Sequence, residues 1–181
     1  MKLRLMFGLV WCAFNLQAQV RQIPLLTLKD QQVYLPLSTP YIVLVFLSPE
    51  CPLCQNYTLT LNKLQDQFSP QVTFIGIVPG IYFTNHSIRN FKQAYGVQFE
   101  IYRDPDKELT KRLGATVTPE VVVLNKEGRV LYQGRIDNWA YEVSRKRKLI
   151  TQHDLQDALY ALLNNKKVAI KKTKAIGCFI E

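Results

Sequence analysis

The chain of 181 residues contains no internal repeat and no low-complexity tract, and it has only two histidines, His86 and His153, beside four cysteines. Neither histidine stands at ligand spacing from a cysteine, so a structural zinc site is set aside. Each reads instead as a polar residue at a helix start. Acidic residues are scarce, 14 against 23 Lys and Arg, which leaves a formal charge of +9. No nucleic-acid motif accompanies that excess, and no nucleic-acid partner is expected. The run Arg145-Lys146-Arg147-Lys148 and the tail residues Lys166, Lys167, Lys171, Lys172 and Lys174 read as a solvated basic face. An anionic membrane or partner surface is the alternative. Trp139 and Tyr141 beside the run form a partner edge or pack on a sheet.

A long apolar run is missing as well. The first one, residues 5–14, is about ten residues long, half of what a bilayer-spanning helix needs. Lys2 and Arg4 precede it and Leu16-Gln17-Ala18 follows it. Basic start, short apolar centre and small Ala18 read as a secretory signal over residues 1–18. An uncleaved anchor is the alternative, and the only other route to a membrane besides the basic face. Cys12 follows Trp11, which argues against a lipoprotein signal. The mature domain then runs from 19 to 181 in the periplasm or outside the cell, and it keeps Cys51, Cys54 and Cys178. An odd number of cysteines outside the cytosol cannot be a closed disulfide framework; it points to redox chemistry.

The domain reads as one α/β unit. Residues 25–28 and 32–35 form a short strand pair. Residues 41–47 are continuously apolar and rich in β-branched side chains, the pattern of a strand buried on both faces. A helix follows with Pro52 at its first position and Tyr57, Leu61, Leu64 and Phe68 in one stripe, ended by Ser69-Pro70. Residues 72–78 form a second buried strand. The next helix is capped by Asn85 or Ser87, turns Ile88, Phe91 and Tyr95 inward and stops at Gly96. Residues 99–102 form a strand. A third helix has Asp104 as N-cap, Pro105 at N1, Leu109 and Leu113 inward and Gly114 past its end. Residues 120–124 and 129–133 make a hairpin around the turn at 125–128. Thr151 with Asp154 resembles a capping box before a last helix carrying Leu155, Leu159, Leu162 and Leu163. A tail, residues 164–181, ends the chain. The order βαβαβαββα after an N-terminal hairpin predicts an α/β/α sandwich around a mixed sheet.

Cys51-Pro52-Leu53-Cys54 sits where the first buried strand meets its helix. A c-type haem site requires His after the second Cys, and Gln55 is there. What remains is a dithiol. Cys51 falls about where the N-cap belongs, so free N–H groups and the helix dipole favour its thiolate. Cys54, one turn on, lies on the same side and can attack a mixed disulfide formed at Cys51.

Strand, Cys-Pro-x-Cys, helix, then Thr118-Pro119 before the next strand, resembles the thioredoxin superfamily. Within it the chain is similar to the redoxin branch, of the alkyl hydroperoxide reductase/thiol-specific antioxidant type, and to exported bacterial thioredoxin-like proteins. Residues 114–119, the stretch Tyr132-Gln133-Gly134-Arg135-Ile136-Asp137 and the ending around Gly177-Cys178-Phe179-Ile180 carry the likeness. The resemblance implies a thioredoxin-like sandwich and a cis Pro119 against the cysteine pair. It also implies that the backbone of Thr118 binds an extended partner chain. The implied activity is thiol–disulfide exchange with protein thiols and disulfides, recharged by an upstream redox partner, with no cofactor and no metal. Two positions depart from the pattern. Where thioredoxins carry a buried acid six residues before the first Cys, this chain has Val45, with Glu50 and Glu120 the nearest acids. Where peroxiredoxins carry Pro and Thr, it has Leu44 and Ser48. A thiol peroxidase using Cys51 and a Cu(I)-holding module are the alternatives. Cys178 is read as a small hydrophobe fastening the tail, or as a resolving cysteine that reaches Cys51.

Overall fold

The computed structural model describes residues 18–181; residues 1–17, with most of the expected signal segment and Cys12, lie outside the described residues. After a 3-10 turn at Ala18–Gln22 come β1 (Leu25–Leu26), β2 (Gln32–Val33), β3 (Tyr41–Phe46), α1 (Pro52–Phe68), β4 (Val72–Pro79), α2 (Asn85–Ala94), β5 (Glu100–Asp104) and α3 (Glu108–Leu113). Then follow β6 (Val117–Thr118), β7 (Glu120–Asn125), β8 (Val130–Gly134), β9 (Ala140–Glu142), β10 (Arg145–Lys146), α4 (Asp154–Leu163) and β11 (Cys178–Phe179).

Seven strands form one sheet in the order β2-β1-β5-β4-β3-β7-β8. β3 pairs parallel with β4 and antiparallel with β7, so the sheet is mixed, as expected. The apolar run of β3 sits at its middle because both its faces are covered. Val43, Val45 and Leu47 face a core that includes Leu61 and Phe68 of α1 and Leu155 and Leu159 of α4. Ile42, Leu44 and Phe46 face a second core with Leu109 and Leu113 of α3 and with Val20 and Ile23. The result is the α/β/α sandwich with a small N-terminal hairpin. Among the described residues no helix is long and apolar enough to cross a membrane.

Several local expectations need correction. Thr84, not Asn85 or Ser87, caps α2, accepting from Ser87 N at 3.1 Å. Tyr95 stays 40 % exposed, because α2 ends at Ala94 before its stripe reaches that far. α3 begins three residues later than Asp104-Pro105 suggests. Lys107, in the left-handed region at φ 55°, turns the chain back, and the buried Asp104 carboxylate then accepts from the N–H groups of Glu108 (2.9 Å) and Thr110 (2.8 Å). Asp104 caps the helix from outside it. Thr151 makes no cap; its hydroxyl accepts from Asn138 Nδ2 at 2.7 Å, while Asp154 is taken by Arg135 Nε at 2.8 Å.

The basic run lies on the exposed hairpin β9–β10 and just beyond it. Lys146 Nζ stands 4.6 Å from the Trp139 ring centre, and Trp139 packs edge-on against Tyr57 at 5.2 Å. So Trp139 is partly used by the fold. His86 and His153 are exposed, at the start of α2 and just before α4.

Candidate active site

The strand-to-helix junction at the end of β3 positions both cysteines. Cys51 N donates to Ser48 O at 3.1 Å, closing the turn, and Cys51 is the N-cap of α1 with Pro52 directly after it. Pro at the first helical position costs nothing there, since that N–H has no helical acceptor. β7 runs antiparallel to β3 with Phe46 opposite Glu120, so the start of β7 lies beside the end of β3. That register, and nothing local in sequence, brings Thr118 and Pro119 to the cysteines. The Thr118–Pro119 bond is cis. Cys51 Sγ lies 3.0 Å from Thr118 O, and Cys54 Sγ accepts from Ser48 N at 3.4 Å.

The two thiols are driven apart electrostatically. Cys51 is lowered from 9.0 to about 5, chiefly because the Cys54 thiol hydrogen-bonds to its sulfur; burial opposes this, and the Cys178 thiol and the N–H groups of Cys54 and Cys178 add to it. The Thr118 carbonyl 3.0 Å away serves the protonated thiol and opposes the thiolate, yet the donors outnumber it. Cys54, wholly buried, is pushed well above 9.0 by desolvation, then by its bond to Cys51 and by the charge of Cys51. One thiol is thus poised as nucleophile and leaving group, and the other keeps its proton.

The third cysteine comes to the same place. The tail runs along β8, with Gln133 N donating to Lys171 O at 2.9 Å and Thr173 N to Gln133 O at 3.0 Å. It then crosses to β6, where β11 pairs antiparallel with Cys178 opposite Thr118 and Phe179 opposite Val117. Ile180 N donates to Thr116 O at 3.0 Å. Cys178 is partly exposed, and its thiol is raised to about 12 by burial, then by its bond to Cys51 and by that sulfur's charge. All five predicted site residues, Cys51, Cys54, Thr118, Pro119 and Cys178, therefore meet at one point. Beside them runs a groove of about 740 Å³, lined by Ser48, Glu50, Tyr82, Thr118 and Phe179 among others. Ile81, Tyr82 and Phe179 at its rim are each more than three-quarters exposed.

Neither of the acids near the motif, Glu50 and Glu120, stands at Cys54. Val45 faces the core that holds Cys54. Glu120 shares its strand face with Val122 and Leu124, on the opposite side of the sheet. There its carboxylate accepts from Thr116 N at 3.0 Å and from Gln133 Nε2 at 2.8 Å, tying down the stretch before Pro119. Glu50 is exposed. Sequence reasoning missed one element of the site's support. Tyr57, one turn after Cys54, donates to the buried Asp137 carboxylate at 2.6 Å, and Trp139 N donates to the same oxygen at 2.8 Å. Asp137 closes the stretch that carried the family likeness, and its buried partner on α1 explains why an acid stands there. Among the described residues no group of three or more His, Cys, Asp or Glu is arranged to hold a metal ion.

The redoxin family model matches residues 28–149. No curated protein sequence matches the chain. Among solved structures, a hypothetical protein from Sinorhizobium meliloti 1021 is similar at 24% identity and a TM-score of 0.75, over 87% of this chain and 88% of that one. An uncharacterized conserved protein from Geobacillus kaustophilus is similar at 22% identity and a TM-score of 0.75, over 88% and 87%. A secreted Mycobacterium tuberculosis disulfide oxidoreductase is similar at 22% identity and a TM-score of 0.59, over 79% of this chain and 98% of that one. At such identities these three share the thioredoxin-like fold with this chain.

Proposed function

The chain belongs to the redoxin family, and on that premise we propose that it is an exported thiol–disulfide oxidoreductase. It exchanges disulfides with partner proteins through Cys51-Pro52-Leu53-Cys54. The observation that carries this reading is the split between the two thiols, Cys51 lowered to about 5 at a helix N-cap and Cys54 buried and protonated beside it. In the reducing direction the Cys51 thiolate attacks a partner's disulfide, one partner sulfur leaves as thiolate, and Cys54 then attacks Cys51 Sγ and releases the second. The reverse sequence oxidises a dithiol. The apolar rim formed by Ile81, Tyr82 and Phe179 supports a protein rather than a small-molecule partner. The basic start and short apolar run of residues 1–18 support export.

The test is reduction of an insulin-type disulfide by the purified protein, set beside peroxide consumption, with Cys51→Ser and Cys54→Ser as controls. Disulfide exchange is expected in the wild type, to be lost in Cys51→Ser and to stall as a mixed disulfide when Cys54→Ser is combined with Cys178→Ser. Exchange that survives Cys51→Ser sinks the reading, and so does rapid peroxide turnover with no disulfide exchange.

A further inference from the structure

β6 is two residues long and lies outside the main sheet; among the described residues its only strand partner is β11. An unpaired edge of this kind accepts an extended chain by strand addition. Here the chain's own tail fills it. The fit is close: a Cβ on Gly177 would come within 2.2 Å of Thr118 O, so only glycine lets the tail lie this deep. With the tail in place Cys51 is 2 % exposed, while Cys178 is partly exposed. A partner's disulfide therefore reaches Cys51 only when the tail moves aside, whereas the Cys178 sulfur beside Cys51 is open to solvent with the tail in place.

We propose that the tail is an internal occupant of the partner-binding edge, and that Cys178 is a third exchange cysteine forming a disulfide with Cys51. The inference rests on the dithiol reading above. Starting from the Cys51–Cys54 disulfide, the Cys178 thiolate attacks Cys51 Sγ. The Cys51–Cys178 bond forms, the Cys51–Cys54 bond breaks, and Cys54 leaves as thiolate and takes up the proton that Cys178 gave away. One disulfide is exchanged for another, so no outside oxidant or reductant is consumed. The oxidised protein is then a pair of isomers, one sealed inside the core and one with its outer sulfur at the surface. A partner thiolate attacking Cys178 in the second isomer expels Cys51, whose low pKa makes it the best leaving group of the three.

The experiment is disulfide mapping by mass spectrometry on the full chain, oxidised with one equivalent of diamide and quenched in acid. Both Cys51–Cys54 and Cys51–Cys178 linked peptides are expected in the wild type. Cys54→Ser is expected to close the Cys51–Cys178 bond within one chain, and Cys178→Ser to show the Cys51–Cys54 bond alone. Ile180→Pro deletes the bond to Thr116 O while leaving every sulfur in place, and one lost hydrogen bond is expected to reduce the Cys51–Cys178 share on the order of tenfold. The inference is overturned if Cys178 stays wholly reduced in the oxidised wild type while Cys54→Ser yields only linked dimers. If neither Cys51–Cys54 nor Cys51–Cys178 forms and insulin-type disulfides are untouched, the dithiol reading itself has failed, which is a different outcome.

Discussion

The Cys51 pKa makes a prediction that can be worked through to a crossing point. In the reduced protein Cys51 is lowered from 9.0 to about 5. At pH 6 an ordinary thiol is about 0.1 % thiolate and Cys51 about 90 %, a gain of about 900-fold in the reactive species. The same lowering weakens the nucleophile. With a Brønsted slope of about 0.4–0.5, four units cost about 40–100-fold in intrinsic reactivity. Net, Cys51 should outpace a free thiol by about 10–20-fold at pH 6, equal it near pH 7, and fall behind at pH 8, where the free thiol has itself become about 10 % thiolate. Shielding by the tail lowers the whole profile and leaves its shape.

Two measurements check this on the reduced full chain. Thiolate absorbance near 240 nm should titrate with a midpoint about 5, and Cys51→Ser should abolish it. The rate of iodoacetamide alkylation at Cys51, read by mass, should be flat between about pH 6.5 and 8.5. Cys178, at about 12, stays protonated across that window and does not contribute. A rate that climbs about tenfold per pH unit from 6 to 8 would refute the reasoning, because it is the behaviour of an unperturbed thiol.

The contributions to that midpoint are ordered. Cys54→Ala, which removes the largest stabilising bond, should raise the Cys51 midpoint more than Cys178→Ala; an equal or reversed shift counts against the geometry. Asp104→Ala strands three N–H groups and the Thr110 hydroxyl at the start of α3, and should cost about 2–4 kcal/mol in urea unfolding. An unchanged urea midpoint would show that the cap is idle. Tyr57→Phe removes a bond to a buried carboxylate and should cost about 1.5–3 kcal/mol, with the redoxin core otherwise intact by circular dichroism.

Much of the fold was legible because its signals are local. β3 announces itself by an unbroken apolar run, and α1 by Pro52 and a stripe from Tyr57 to Phe68, all of which lie buried. Cys51, Cys54, Thr118 and Pro119 could be singled out because a family likeness joins two short motifs far apart in the chain. Where physical contact depends on register, the sequence is silent. β6 and β11 are two residues each, too short for any periodicity, so the meeting of Cys178 with Thr118 could not be read in advance. Asp104 was recognisable as a cap, but not that Lys107 would turn the chain so that it caps from four residues upstream. Asp137 was seen as part of a recurring segment, but its partner Tyr57 is 80 positions away, and no local pattern links them.

The apolar position Val45 has a kinetic consequence. Release of a partner requires Cys54 to attack a mixed disulfide at Cys51, and for that it must lose a proton. Val45, Val121 and Val123 face it from the sheet, and the Glu120 carboxylate lies on the other side, held by Thr116 and Gln133. Once Cys51 is bonded to a partner sulfur its negative charge is gone, and with it the Coulombic part of the Cys54 shift. Desolvation, the largest cause, stays. Resolution should therefore run through a small thiolate fraction that grows about tenfold per pH unit below the Cys54 pKa. Reduced protein mixed with oxidised glutathione at pH 7 and quenched in acid should show a glutathione adduct at Cys51 that accumulates before it resolves. The lifetime of that adduct should shorten steadily from pH 6 to 9. A lifetime that does not change over this range would refute the reasoning, because it would mean that some group already takes the Cys54 proton.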